Sequence, residues 1–207
     1  MKRGNITGRP HLPTLSYYEQ NAPNFVRRTR DLDMEAVYEP FLKLLPEGAH
    51  VLDAGCGSGR DSRSLLEKGY EVTAFDASEA LVALASEHAG IPVLRMRFDE
   101  LQFEESFDGV WACASLLHVP QREMDGAISN LSRSLKPGGV FYASFRYGDG
   151  ESVVEDGRLF NNYTEHTFRD LLGGHSEIEV VNLWRGEGIH RPEVFWLNVL
   201  LRKKQTS

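Results

Sequence analysis

The most constraining feature of this sequence is a glycine-rich stretch at residues 50–61, which reads HVLDAGCGSGRD. An apolar run, Val51, Leu52 and Ala54, meets three glycines spaced two apart, and a helix-like segment follows. Glycine tolerates a positive φ and carries no Cβ, so the backbone of such a turn can come close to another group. The helix that begins there offers free N–H groups to a polar or anionic ligand. The stretch therefore predicts a strand, a ligand-binding turn and a helix, with an empty tight turn as the alternative.

Two common phosphate-binding patterns do not describe this stretch. The dinucleotide fingerprint G-x-G-x-x-G fails because its third glycine would fall on Arg60. No G-x-x-x-x-G-K-[ST] pattern occurs, which excludes a P-loop. The pattern from Asp53 to Gly59 is D-x-G-x-G-x-G, and it resembles motif I of the class I S-adenosylmethionine-dependent methyltransferases. The strings YYEQNA, GCGSGRDS, FDAS and WACASLLHVP are similar to a bacterial, tellurite-resistance-type branch of that family.

Length and composition narrow the class of protein. The chain has 207 residues, which suits a single domain over 1–207. The formal net charge of −7 argues against nucleic acid as a partner, because phosphate binding requires a basic face. Cys56 and Cys113 have neither disulfide nor zinc spacing, so we expect a reducing, cytoplasmic setting and no metal. An apolar stretch of membrane-spanning length and a secretory signal are both lacking, so we expect no membrane partner.

A helical arm over residues 1–45 is predicted before the first strand. Residues 1–15 contain glycines and prolines and predict irregular structure. Apolar and aromatic residues then recur at helical spacing, which predicts helices over 16–21 and 33–45 with a break at Pro23. Because the arm is not needed to begin the sheet, we expect it to lie over the strand ends as a lid. A static covering helix is the alternative.

Strands and helices alternate after the arm. The patterns predict helices over 60–68, 79–89, 121–135 and 164–174, and strands over 49–54, 71–76, 92–97, 107–113, 140–146, 178–185 and 194–202. The short connection between the last two strands predicts an antiparallel pair, and residues 147–163 are expected to form a loop. The predicted fold class is α/β: a doubly wound, seven-stranded Rossmann-like sheet, mostly parallel with an antiparallel last strand.

An acidic residue, Asp76, ends the second predicted strand. It lies 17 positions after Gly59, close to the spacing at which a carboxylate accepts hydrogen bonds from a ribose. The alternative is a helix N-cap, but Ser78 is at least as good a cap for the next helix. Ligands of doubly wound sheets bind at the carboxyl ends of the strands, where the winding reverses. We therefore expect Asp76 and the glycine turn to belong to one site.

The family resemblance implies S-adenosylmethionine as the cofactor and S-adenosylhomocysteine as its product. It also implies that the loop after the third strand wraps the adenine, where Arg97 or Phe98 replaces the family's acidic residue and a side-chain or backbone contact stays open. Arg60, or Arg27 or Arg28 of the arm, is expected to meet the cofactor's carboxylate, with a salt bridge from Arg60 to Asp61 as the alternative. The predicted cofactor-binding residues are Asp53, Gly55, Cys56, Gly57, Ser58, Gly59, Arg60, Asp76, Ala77, Ser78, Phe98, Asp99, Ala114, Ser115, Tyr18 and Arg28.

The resemblance further implies methyl transfer, an in-line displacement whose rate depends on alignment of the two reactants. The (N/D)-P-P-(Y/F) tetrapeptide of DNA and protein-glutamine methyltransferases is absent, so we expect a small-molecule acceptor. His118 is the candidate catalytic base, with a structural role as the alternative. Cys113, Trp184 and Trp196 are assigned to the core. The predicted acceptor-binding residues are Tyr17, His118, Arg146, Tyr147, Asn162 and Tyr163, with Arg158 in the same segment.

Two other functions stay open on the sequence alone. A non-catalytic protein of the same fold would bind S-adenosylmethionine through the same motif. A nicotinamide-dependent oxidoreductase is the third candidate, and the G-x-G-x-G spacing speaks against it. The sequence is compatible with a monomer or a homodimer, and it does not name the acceptor or the atom that receives the methyl group.

Overall fold

A single mixed sheet carries the other elements of the chain. The structure is a computed structural model that describes residues 12–189 and 191–205, so the expectation for residues 1–11 lies outside the described part. Its seven strands are β1 His50–Ala54, β2 Glu71–Asp76, β3 Val93–Arg95, β4 Phe107–Ala112, β5 Leu135–Arg146, β8 Ile178–Glu187 and β9 Phe195–Lys203, and a separate hairpin consists of β6 Gly150–Val153 and β7 Leu159–Asn162.

The strand order in the large sheet is β3-β2-β1-β4-β5-β9-β8. Neighbouring strands from β3 to β5 run parallel, whereas β9 pairs antiparallel with both β5 and β8. The predicted doubly wound fold is therefore confirmed, including its antiparallel last strand. The chain winds outward from β1 to β3 and then outward again from β4, so the winding reverses between β1 and β4. Their carboxyl ends flank the crevice in which such sheets bind ligands.

In the described part of the chain, six helices cover the two faces of this sheet and its carboxyl edge: α1 Leu12–Thr29, α2 Glu35–Leu42, α3 Arg60–Glu67, α4 Glu79–Ala89, α5 Gln121–Ser134 and α6 Glu165–Leu172. The helix α4 begins at a Ser78 cap and α6 at a Thr164 cap, both as predicted, because each hydroxyl accepts a backbone N–H of the first turn. Short 3₁₀ turns follow β3 at residues 98–100 and β4 at residues 116–118.

The central strands are buried on both faces, as the apolar run of β4 predicted. Val110 belongs to the larger hydrophobic cluster under α5, whereas its neighbour Trp111 belongs to the cluster under α2. The rings of Trp111 and Tyr142 stack on that second face with their centroids 4.1 Å apart. Packing on both faces holds the strands in place. The loops at the carboxyl edge are held in position because they follow directly from these strands.

The arm differs from its prediction in one respect. Residues 12–29 form one continuous helix, so the predicted break at Pro23 and the irregular structure expected for 12–15 are wrong. An interior proline costs a helix about 3 kcal/mol. Pro23 is exposed, and the same helix buries Ala22 and Val26 against Leu81 of α4, which offsets that cost.

Several other helices and strands begin or end at residues that differ from the predicted ones. The strand β3 has three residues instead of six, α2 ends at Leu42 instead of residue 45, and β5 begins at Leu135 instead of residue 140. The segment expected as a loop contains the β6–β7 hairpin, whose strands of four residues each are too short to show an alternating pattern. Within the described ranges, no helix combines the length and the apolar character that a membrane crossing requires.

Candidate functional site

The glycine turn after β1 is tightly enclosed. Gly55 and Gly57 have φ angles of 78° and 56°, which favour glycine over other residues. A Cβ on Gly55 would lie 2.5 Å from Cβ of Ser115, and one on Gly57 would lie 3.1 Å from the ring of Phe25. The turn therefore needs glycine at both positions, and it borders the loop after β4 on one side and α1 on the other.

Asp76 holds this turn from the end of β2. Its Oδ2 accepts the N–H of Gly57 at 2.9 Å, and its Oδ1 accepts the N–H of Ser78 at the same distance. Burial raises the pKa of Asp76, and hydrogen bonds from the backbone of Ser78, Gly57 and Ala77 act in the opposite direction. Three donors leave one of the four acceptor positions of a carboxylate unused. Asp76 is thus available as an acceptor for a ligand beside the turn.

A cavity of about 380 Å³ begins at the glycine turn and at Asp76. The Phe98 ring lies on its wall, edge-on to Phe75 at 5.3 Å between centroids. Asn130 of α5 donates to the Phe98 carbonyl at 3.0 Å and fixes that loop. The cavity therefore extends across the ends of β1, β2 and β3, and it combines a carboxylate, backbone amides and an aromatic wall.

A second cavity, of about 520 Å³, lies on the other side of the turn. Its walls come from α1, the β4 loop, the ends of β5 and β7, and the turn between β8 and β9. They include three aromatic residues, Phe160, Trp184 and Trp196, and three arginines beside them, Arg146, Arg158 and Arg191. The two cavities meet at a shared wall that consists of Tyr18, Phe25, Gly55, Gly57, Ala114 and His118.

Tyr18 and His118 are hydrogen-bonded to each other on that shared wall. Nδ1 of His118 lies 2.7 Å from the carbonyl of Leu159, which can only accept, so the proton of the neutral ring sits on Nδ1. Nε2 is then an acceptor, and the Tyr18 hydroxyl, 2.8 Å away, donates to it. Burial lowers the pKa of His118 to about 4, which keeps the ring neutral at pH 7.

A buried network of hydrogen bonds supports the turn from behind. Asp61 accepts hydrogen bonds from the Tyr38 hydroxyl at 2.6 Å and from Nε1 of Trp111 at 2.9 Å, and two nitrogens of Arg60 donate to it at 2.6 and 2.8 Å. Although burial disfavours the charge of Asp61, Arg60 and the other donors hold its pKa below the usual value. Apart from the Arg60–Asp61 alternative, no sequence pattern indicated this network.

The comparison with known families gives the identity of the fold. Residues 51–139, which contain the glycine turn, Asp76 and the β4 loop, match the family described as "Methyltransferase domain". The match covers less than half of the chain and identifies residues 51–139 as a methyltransferase domain, and the strand order is that of the class I S-adenosylmethionine-dependent methyltransferase fold. The family resemblance stated from the motifs is thereby confirmed, whereas the tellurite-resistance-type branch stays a prediction.

The individual relatives of this chain are distant in sequence. The Bacillus subtilis (strain 168) protein YqeM is 29% identical over 165 residues, which are 71% of this chain and 65% of YqeM. The S-adenosyl-L-methionine-dependent Diels-Alderase iliD of Neonectria sp. (strain DH2) is 28% identical over 172 residues, which are 73% of this chain and 67% of iliD. The chain thus spans about two thirds of the length of these two curated relatives.

One solved structure has the same fold over nearly the whole length of this chain. It is the Burkholderia thailandensis 1,6-didemethyltoxoflavin-N1-methyltransferase with bound 1,6-didemethyltoxoflavin and S-adenosylhomocysteine. It superposes with a TM-score of 0.78 at 24% sequence identity and covers 98% of this chain and 94% of its own. At that identity the likeness establishes the fold.

Most of the residues that were predicted to bind the cofactor line at least one of the two cavities. Ser115 anchors the β4 loop to β1, because its hydroxyl donates to the Ala54 carbonyl at 2.6 Å. The predicted cofactor-binding residues that line the smaller cavity are Gly55, Gly57, Asp76, Ala77, Ser78, Phe98, Asp99, Ala114, Ser115 and Tyr18. Those that line only the larger cavity are Cys56, Ser58 and Arg60.

Three of the predicted cofactor-binding residues line neither cavity. Asp53 is buried behind the turn, where it accepts the hydroxyl of Ser62 at 2.6 Å. Gly59 packs against the backbone of Ala85 in α4, and Arg28 is exposed on α1. The alternative for Arg60, a salt bridge to Asp61, is present in the structure. A contact between Arg60 and the cofactor's carboxylate stays a prediction.

The predicted acceptor-binding residues divide in the same way. His118 and Arg146 line the larger cavity. Tyr163 is 4% exposed and packs in the core, because it follows β7 and its ring meets Phe145 and Phe168. The remaining three also lie outside both cavities: Tyr17 stacks under Arg158, Tyr147 donates to Glu165, and Asn162 donates to the Gly150 carbonyl.

Sequence reasoning missed several residues of the larger cavity. Trp184 and Trp196, assigned to the core, line that cavity, as do Cys113, Phe25, Phe160 and Arg191. The antiparallel last strand offered a signal for Trp196, since such a strand must begin at the carboxyl edge of β5. Trp196 pairs there with Arg146. Among the described residues, no three His, Cys, Asp or Glu side chains are grouped as metal ligands.

Proposed function

We propose that this protein transfers the methyl group of S-adenosylmethionine to a small-molecule acceptor. The observation that carries the proposal is the wall shared by the two cavities, at the point where the winding of the sheet reverses. Two reactants bound on either side of Gly55, Gly57 and Ala114 are held in contact there. Because alignment supplies much of the rate of a displacement, that arrangement suits methyl transfer.

The residues of the smaller cavity fit the cofactor. The glycine turn lets backbone amides approach a ligand closely, and a Cβ at Gly55 would close that space. Asp76 is a partly buried carboxylate whose backbone donors leave an acceptor position unused, which suits a ribose hydroxyl. Phe98 supplies an apolar wall for a flat base. When bound, the cofactor supplies an activated methyl group, and the protein's own residues bind and orient it.

Tyr18 and His118 have a positioning role in this proposal. His118 was predicted as the catalytic base, but its Nε2 already accepts the Tyr18 hydroxyl and its pKa is lowered to about 4 by burial. The acceptor therefore meets the phenol oxygen of Tyr18, while His118 and the Leu159 carbonyl orient that phenol. α1 carries Tyr18, so the arm contributes directly to the shared wall.

A second candidate, binding of S-adenosylmethionine without methyl transfer, is favoured by one comparison. The relative iliD is named as an S-adenosyl-L-methionine-dependent Diels-Alderase. His118, the predicted base on the shared wall, is also hydrogen-bonded on both sides. The 1,6-didemethyltoxoflavin-N1-methyltransferase, whose structure holds 1,6-didemethyltoxoflavin and S-adenosylhomocysteine, supports methyl transfer instead.

One experiment separates the two candidates. The purified protein is titrated calorimetrically with S-adenosylmethionine, and the release of S-adenosylhomocysteine is then measured over a panel of small acceptors. Binding together with acceptor-dependent release supports methyl transfer. Binding with intact cofactor for every acceptor supports the second candidate, and failure to bind contradicts both.

The remaining parts of the proposal concern the domain organisation, the binding partners and the cellular compartment. The chain is a single domain over 1–207, and its arm acts as a lid over the cofactor. The acidic net charge of −7 disfavours nucleic acid, and Cys56 and Cys113 are both free thiols, which suits the reducing cytoplasm. The protein acts as a monomer or homodimer, which size-exclusion chromatography with light scattering distinguishes.

A further inference from the structure

Arg146 carries a charge without a counter-ion on the wall of the larger cavity. Its guanidinium lies over the ring of Phe160, 3.6 Å from the centroid. It makes no hydrogen bond or ion pair to any residue in the described ranges. A half-buried guanidinium with five donors and no acceptor is costly unless a ligand supplies one. Arg146 is therefore unlike the arginines of the protein that are paired with carboxylates.

A second guanidinium lies beside it. That of Arg158 is 5.3 Å from the centroid of the same Phe160 ring, and it pairs with Asp156, which does not line the cavity. Burial lowers the pKa of Arg146, and the charges of Arg158 and Arg191 lower it further. The three cations thus raise one another's energy, and the positive potential between them favours an anion.

The charge of the cavity contrasts with that of the chain. Four arginines line it, namely Arg60, Arg146, Arg158 and Arg191, against two acids, Asp61 and Glu187. Asp61 neutralises Arg60. Glu187 and Arg191 are both exposed at the mouth, where water screens their charges. Arg158 pairs with Asp156 and Arg191 with Glu193, so Arg146 is the arginine of this cavity that no carboxylate of the described residues pairs with.

Flat side chains form part of the remaining wall of this cavity. Trp184 and Trp196 come from β8 and β9, and Phe160 lies under the two guanidiniums. Aromatic walls favour planar apolar ligands through offset or edge-on ring contacts. The cavity therefore combines an anion-binding end at Arg146 with an aromatic interior, and it meets the smaller cavity at Tyr18 and Ala114.

We infer that the acceptor is a planar, aromatic small molecule with a carboxylate or phosphate group, which binds to Arg146 with Arg158 beside it. This inference rests on the proposed function, because it identifies the larger cavity as the acceptor site. Arginine matches both anions through two parallel hydrogen bonds. The anionic group lies at the Arg146 end, and the ring extends along the tryptophans toward the shared wall.

The test measures binding of matched probes to the protein loaded with S-adenosylhomocysteine. The probes are 4-hydroxybenzoate against 4-hydroxybenzamide, indole-3-acetate against its amide, and phenyl phosphate against phenol. The acid of at least one pair is expected to bind roughly tenfold to a hundredfold more tightly than its neutral partner, as a charge-assisted contact predicts. The carboxylate and phosphate pairs show which anion the site prefers.

Two variants assign the preference to its residue. Arg146→Gln is expected to abolish the difference between acid and neutral probe while leaving S-adenosylhomocysteine affinity within about twofold. Arg185→Gln is the matched control, because Arg185 also stacks on an aromatic ring, that of Phe195 at 3.6 Å, but does not line the cavity. Equal binding of acid and neutral probes, no binding of any acid, or an unchanged preference in Arg146→Gln would overturn the inference. If the wild-type protein does not bind S-adenosylhomocysteine, that result would instead contradict the proposed function.

Discussion

The Tyr18 hydroxyl donates a 2.8 Å hydrogen bond to Nε2 of His118, a residue 100 positions further along the chain. It joins the arm to the loop after β4 at the wall between the two cavities. The bond stabilises the neutral form of the imidazole, because Nε2 must lack a proton to accept it. The charge of His118 is thus coupled to the position of α1.

Replacement of Tyr18 by phenylalanine tests this coupling. Loss of the donor is expected to raise the pKa of His118 by about 0.5–1 unit, since a hydrogen bond contributes about 1 kcal/mol. An NMR titration of the histidine resonances measures that change without any acceptor. Tyr17→Phe is the matched control, because the neighbouring Tyr17 does not line either cavity. A His118 titration that is the same in both variants would contradict the coupling.

The stability of the protein is expected to fall in mild acid because of His118. Burial lowers its pKa from 6.5 to about 4 in the folded state. Between those values the unfolded chain binds a proton that the folded state does not, so stability falls as the pH drops from 6.5 to 4. The shift corresponds to at most about 3 kcal/mol. Urea unfolding at several pH values measures the slope.

Two histidine variants assign that slope. His118→Gln is expected to flatten it, because glutamine does not titrate. His166→Gln changes a histidine whose side chain is 86% exposed, and this control should keep the wild-type slope. If the His118 variant retained the full slope, the acid sensitivity would arise from other groups.

The cofactor contact of Asp76 gives a third prediction. Asp76→Ala removes the acceptor of the Gly57 and Ser78 N–H groups together with the expected ribose contact. Affinity for S-adenosylmethionine should fall roughly tenfold to a hundredfold, as loss of a charge-assisted contact of about 1.5–3 kcal/mol predicts. Calorimetric titration measures it. Asp108→Ala is the control, because Asp108 also accepts a backbone N–H, that of His50, but lines neither cavity. Unchanged affinity in the Asp76 variant would remove this residue from the site.

The fold and the smaller cavity were largely predictable from sequence. Their signals are local: glycines at a strand end, an acid at the next strand end, and apolar runs that are buried on both faces. Asp76 and the glycine turn meet because parallel strands bring their carboxyl ends to one edge. The continuity of α1 through Pro23 was not predictable, because packing on α4 decides it and no local pattern records that contact.

The larger cavity was predicted less well, for a different reason. Its walls come from segments far apart in sequence, and which face of a strand they occupy depends on register. Phe160 lines the cavity whereas its neighbour Asn162 does not, although both belong to a hairpin that was expected as a loop. The absence of a carboxylate partner for Arg146 within the described residues could not be predicted either. Ion pairing depends on the folded structure, and proximity in the sequence does not determine which acid pairs with which arginine.

Asp53 gives a fourth prediction, which concerns pH and stability. Burial raises its pKa to about 8, the negative charge of Asp61 adds to the effect, and the hydrogen bond from Ser62 opposes it. Between pH 4 and 8 the folded state therefore holds a proton that the unfolded chain has lost, so stability falls as the pH rises, by at most about 1.4 kcal/mol per pH unit. Asp53→Asn can still accept from Ser62 and cannot ionise. Its urea unfolding should show a gain over wild type at pH 8 that shrinks toward pH 5, and an equal effect at both would contradict the raised pKa.

The arm gives the last prediction, because Glu19 of α1 caps α4. One oxygen of its carboxylate accepts the N–H of Glu79 at 2.6 Å, and the other accepts that of Ala80 at 3.1 Å. A carboxylate at a helix N-terminus contributes about 1 kcal/mol. We expect Glu19→Ala to accelerate hydrogen exchange over residues 12–29 and to weaken S-adenosylhomocysteine binding by roughly threefold to tenfold.

The same measurement separates a lid from static packing. In a lid, the amides of α1 exchange fast in the empty protein and slow down when S-adenosylhomocysteine binds, because the ligand stabilises the closed position. Gln20→Ala is the control, since Gln20 is exposed and bonds only within α1, to Ser16. Slow exchange of α1 that does not respond to S-adenosylhomocysteine, or cofactor affinity that survives deletion of residues 1–30, would show that the arm is a fixed cover.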